Sequence, residues 1–126
     1  MDKNDVFLPR PINTVLEGCK NYLSWSQAMR SFFKGRMLWN YCTGAITVPV
    51  KGANEEDVAF LGCMIEWDSH NHMILTWIQN ISIPSISNLL GSFDDAKSVW
   101  DMLAKRYSTT HGSMKYQLVV ELHKLG

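Results

Sequence analysis

A chain of 126 residues, 46% of them hydrophobic, is long enough to bury one core without metal or disulfide staples and too short for several domains. Its twelve basic and twelve acidic residues cancel, so no overall field draws it to nucleic acid or anionic lipid. Cys19, Cys42 and Cys63 are odd in number and widely separated, a pattern that fits neither a disulfide framework nor a zinc knuckle. The N-terminus MDKNDVFLPRP carries charges where a signal peptide needs an apolar core, and no apolar run approaches a membrane span. These features predict a cytoplasmic chain with reduced thiols.

Residues 1–13 are polar, carry Pro9 and Pro11, and read as a flexible lead-in to a domain over 14–126. Ser24 and Gln27, spaced as a capping box, predict the first helix, with Trp25, Met29, Phe32 and Phe33 as its buried face. Gly35 suits its end, and Lys34 and Arg36 lie where the helix dipole is negative. Leu38, Trp39 and Tyr41 are too apolar for a solvated loop and predict a short helix over 37–42, closed by Gly44. Ile46, Thr47, Val48 and Val50 have strand character, but Pro49 and Gly52 deny a partner strand, leaving a packed loop. Asn54, followed by Glu55, Glu56 and Asp57, predicts the next helix start.

Phe60, Met64, Trp67, Ile74, Ile78 and Ile81 then recur at helical period, interrupted only by Asn71. Pro84 ends that helix near Ser82 and suits the first position of a short one through Ile86, Leu89 and Leu90, closed by Gly91. Ser92 or Asp94 caps the following helix. Its apolar face is Ala96, Val99, Trp100, Leu103 and Tyr107, and its outer side carries Lys97, Asp101 and Lys105 at i,i+4 spacing. A turn at His111 and Gly112, a cap at Ser113 and an apolar face of Met114, Leu118, Leu122 and Leu125 predict a last helix. Either that face docks back onto the domain, or the chain is a piece of a longer protein. The expectation is an all-α single bundle of five or six helices, with Trp67, Trp77 and Trp100 in its core.

Catalytic patterns are missing. The eight glycines stand singly at element ends, no serine occupies a nucleophile elbow, and His111 and His123 lack an accompanying Cys or Asp motif. Asp94 and Asp95 suit a helix N-terminus better than acid–base work, and Lys105 and Arg106 suit a helix end. His70 and His72 point about 200° apart on a helix and cannot share one ion. Cys63, Glu66 and His70, at i, i+3 and i+7, share a flank; a buried thiol beside a solvated Glu–His pair is favoured over zinc. Near Trp67 and Trp77 stand Glu66, Asp68, Thr76 and Gln79, so the aromatic stripe reads as core, not as a stacking platform for single-stranded nucleic acid.

Three blocks of residues occur in a recognisable order. Leu16 and Gly18 precede Asn21, Tyr22 and Trp25; Trp67 and Asn71 precede Trp77, Ile78 and Asn80; Val99, Trp100, Leu103, Arg106, Tyr107 and Ser108 precede Tyr116, Gln117 and Leu118. From about residue 14 onward the chain resembles the Gag polypeptide of copia-type LTR retrotransposons, with two residues between Gly18 and Asn21 where the family often has one. The resemblance implies a non-enzymatic, capsid N-terminal-domain-like structural protein without cofactor, whose copies self-associate in an intracellular particle. It also implies that the element's RNA is bound only through a later helical portion and a zinc knuckle that this chain lacks. No metal site, membrane or small-molecule substrate is expected. Two further readings stay open: a host-retained or relic copy acting as a protein-interaction module, and an RNA-binding domain.

Overall fold

The computed structural model describes residues 11–108. The N-terminal ten residues and the predicted last helix, with Ser113, Met114, Leu118, Leu122 and Leu125, lie outside the described residues, as do Tyr116 and Gln117. Within them the chain forms five α-helices: α1 (Tyr22–Gly35), α2 (Trp39–Thr43), α3 (Asp57–Asn80), α4 (Pro84–Leu90) and α5 (Ala96–Leu103). A π-helical turn (Ala104–Ser108) follows α5. The described residues hold no strand, only a parallel bridge between Leu16 and Ser82, so the all-α class stands.

Element starts depart from expectation by one to three residues. α1 begins at Tyr22, and Ser24 lies inside it with its hydroxyl donating to the Asn21 carbonyl (3.2 Å). Asn21 stands at the cap position but turns its side chain backward: Nδ2 donates to the Val15 carbonyl (2.8 Å) and Oδ1 accepts from the Glu17 N–H (3.0 Å). α3 starts after Glu56 instead of Asn54, and the cap of α5 is Asp95 instead of Ser92 or Asp94. The Asp95 carboxylate accepts from the Ser98 N–H (3.0 Å) and hydroxyl (2.7 Å), so this position has the stronger local bonding.

The left-handed residue beyond α1 is Met37 (φ 60°), two residues past Gly35. The Leu38 N–H donates to the Phe33 carbonyl (2.8 Å) and the Met37 N–H to that of Lys34 (3.1 Å), and both Leu38 and Phe33 are buried. This is the Schellman pattern with its apolar contact. α2 closes on Gly44 (φ 86°) as expected. A Cβ there would lie 2.7 Å from the Lys97 side chain, so glycine also makes room for the neighbouring helix.

Trp25, Met29 and Phe33 of α1, Cys42 of α2, Ile74 and Ile78 of α3, Leu90 of α4 and Val99 and Leu103 of α5 bury their side chains together. Trp25 stacks on Trp100 (5.8 Å between ring centroids), and Trp100 meets Trp39 edge-on (5.0 Å). Phe32 meets Trp77 edge-on (5.0 Å). Leu16, fully buried, pins the N-terminal segment to the α3–α4 junction: its N–H donates to the Ile81 carbonyl (2.7 Å), and its carbonyl accepts from the Ile83 N–H (3.0 Å).

The tryptophans are not equally core. Trp25 and Trp77 are buried, whereas Trp67 and Trp100 are half-buried. The larger correction concerns α3. Its expected inward stripe is buried only from Asn71 onward; no residue from Asp57 to Glu66 is buried, and Phe60 and Met64 are only half-covered. The stripe repeats correctly along the helix, but the rest of the bundle packs against only its C-terminal half. Tyr107, expected on the α5 face, sits half-buried on the π-turn after that helix has ended.

Candidate functional site

The signature residues form a folding unit. Leu16, Tyr22, Trp25, Asn71, Trp77, Ile78 and Leu103 are buried, and Trp67, Trp100 and Tyr107 are half-buried. Gly18 (φ 140°) opens the turn whose carbonyl accepts from the Asn21 N–H (3.3 Å), a conformation that side chains resist. Asn71, the polar break in the α3 stripe, clamps α3 to the start of α5: Nδ2 donates to the Asp94 carbonyl (2.6 Å) and Oδ1 accepts from the Ala96 N–H (2.7 Å). Its two bonds satisfy backbone groups that burial would otherwise leave unpaired.

The structure does not bring Cys63, Glu66 and His70 together as a group of metal ligands. Cys63 is exposed, against the expected buried thiol, and His70 Nδ1 is engaged by the Tyr41 hydroxyl (2.8 Å). His72 turns to Asp68 instead (3.3 Å), so the two imidazoles part as expected. Among the described residues no group of three His, Cys, Asp or Glu side chains could hold a metal. Cys42 is the buried cysteine, and burial, with the Asp101 charge adding, pushes its thiol up to about 12. Such a thiol stays protonated and unreactive at neutral pH.

Arginines do meet aromatic rings. The Arg36 guanidinium lies over Phe32 (4.7 Å) and Trp77 (5.3 Å), and that of Arg30 over Trp39 (5.9 Å). Charge neighbours in sequence hid this, since Arg30 comes from α1 and Arg36 from the residue that follows it. Trp77 is only 4% exposed, so the arginine caps a core ring and leaves no face for a base to stack on.

Two surfaces remain. The first is the outer side of α3, where Val58 is 80% exposed, Leu61 57% and Ile65 61%. At 3.6 residues per turn these three share one face, opposite Phe60, Met64 and Trp67. From Val58 to Ile65 the chain reads VAFLGCMI, without a charge, and Gly62 within it has nothing within 4 Å of where a side chain would begin. The readable signal was the run itself: a helix apolar on both sides cannot satisfy itself with one partner face.

The second is a cleft of about 600 Å³ between the loop after α2, the middle of α3 and the start of α5. Ile46, Val48, Tyr41 and Trp67 supply its apolar walls, and Asp68, Asp94 and Lys97 lie at its lining. Lys97 is paired with Asp101, and Asp95 is committed to its capping bonds. The Asp94 carboxylate has no partner among the described residues.

Among the described residues no helix is long and apolar enough to cross a membrane. Compared with family models, curated proteins and solved structures, the chain matches none.

Proposed function

We propose that this domain is a non-enzymatic structural unit of the copia-type Gag kind, capsid N-terminal-domain-like, which works by binding copies of itself through the outer face of α3. The observation that carries the reading is the exposure of Val58, Leu61 and Ile65 on a charge-free stretch of α3, residues 58–65. An isolated monomer gains nothing by holding such a face in water, whereas a second copy covers it at about 25 cal/mol per Å² of apolar surface. Gly62, beside Leu61 on the same stretch, has open space where a side chain would begin, which leaves room for a side chain of a facing copy. The assignment to Gag rests on the motif resemblance alone; several of its residues, Leu16, Trp25, Asn71 and Trp77 among them, lie in the core.

Sedimentation across a concentration series tests this. The protein should shift from monomer to oligomer as concentration rises, and Leu61→Asp with Ile65→Asp should hold it monomeric with an unchanged circular dichroism spectrum. A wild-type chain that stays monomeric at millimolar concentration would refute self-association through this domain.

A further inference from the structure

We infer that the cleft beside α2, α3 and α5 is a second binding site, which receives a short extended segment of another protein carrying an apolar side chain next to a lysine or arginine. Its volume of about 600 Å³ is that of a ligand pocket, and its apolar walls of Ile46, Val48 and Trp67 suit one apolar side chain. Charge complementarity selects the neighbour. Among the described residues Asp68 pairs only with the imidazole of His72 and the Asp94 carboxylate has no partner, so two carboxylates are available while Lys97, which also lines the cleft, is already paired with Asp101.

The rim points to a polypeptide over a small cation. Thr47 and Val48 border the cleft, and their backbone N–H and C=O groups make no hydrogen bond within the described residues. A partner backbone laid alongside satisfies them, as a strand does at an open sheet edge, while its side chains reach the apolar walls and the carboxylates. This site adjoins the outer face of α3, since Asp68 and His72 follow Leu61 and Ile65 at helical spacing, but its other walls come from the loop after α2 and the start of α5, and it needs no self-association.

Fluorescence polarisation with a labelled peptide, Gly-Ser-Leu-Phe-Arg-Ser-Gly, tests the inference on the full chain. Saturable binding is expected. It should weaken about tenfold when the peptide arginine becomes glutamate, and as much in the D68N/D94N protein, as befits two partly exposed ion pairs. N-methylation of the peptide's Leu and Phe nitrogens should weaken it too, and Asp57→Asn, on the first turn of α3, should not. These exposed substitutions keep the fold, which circular dichroism verifies. Absence of saturable binding by the wild type, or equal binding of the arginine and glutamate peptides, would overturn the inference. So would displacement by arginine amide alone at the peptide's own concentration, which makes the cleft a cation pocket. Loss of self-association in Val48→Asp, without peptide binding by the wild type, would assign the cleft to a second copy and overturn it equally.

Discussion

At the scale of single residues, burial and not residue type ranks the tryptophans. Trp25 has no exposed surface and stacks on Trp100, which is itself open on one side. Trp25→Ala should therefore cost about 3–5 kcal/mol, and Trp100→Ala distinctly less, as urea unfolding would measure. The indole N–H groups of Trp25, Trp67 and Trp77 are buried without partners among the described residues, so these rings stabilise through buried area, to which ring contacts add for Trp25 and Trp77.

Cys42 supplies a pH dependence of the same local kind. Its folded thiol, raised from an ordinary 9.0 to about 12, keeps a proton that the unfolded chain releases. The associated stability is intact below pH 9 and falls as pH rises from there towards 12, at up to about 1.4 kcal/mol per pH unit. Burial also raises Tyr22 and Tyr41, which act in the same direction from their ordinary 10.0 upward. Comparing wild type with Cys42→Ala between pH 8 and pH 10 isolates the cysteine: the wild type should lose more stability over that interval.

At the scale of elements, the helix ends decide more than the helix interiors. The α1–α2 corner uses Met37 in the left-handed conformation although its side chain is 84% exposed. Met37→Gly removes the steric cost of that conformation and forfeits little packing, so it should stabilise the fold by about 0.5–1 kcal/mol in urea or thermal unfolding. Across α3 the contrast runs along one continuous helix. Its C-terminal half carries Ile74, Trp77 and Ile78 into the core and is clamped to α5 by Asn71; its N-terminal half has no buried residue. A helix of this length, about 36 Å, is longer than the face the other short helices present to it.

For the whole molecule, the balanced charge and the uncharged stretch 58–65 of α3 predict how association answers to salt. An interface built on Val58, Leu61 and Ile65 has no ion pairs to screen, and excluded salts strengthen apolar burial. Oligomers measured by sedimentation should persist or tighten when sodium sulfate is added; dissociation by salt would point to a charged interface elsewhere. Peptide capture in the cleft should respond oppositely, since Asp68 and Asp94 are screened.

Periodicity and punctuation made the all-α class legible, together with the end of α1 near Gly35, the closure of α2 at Gly44 and the break at Pro84. Those features are written in the residues that local backbone geometry requires. Asn71 was legible as an interruption of the stripe and as a motif residue, but not as a clamp, because that role depends on two backbone groups more than twenty residues away. The half-helix left uncovered, the arginines laid over core rings and the cleft beside Trp67 belong to the tertiary structure alone. A hydrophobic repeat states which side of a helix seeks cover. How far along the helix that cover extends depends on the lengths and crossing points of its neighbours.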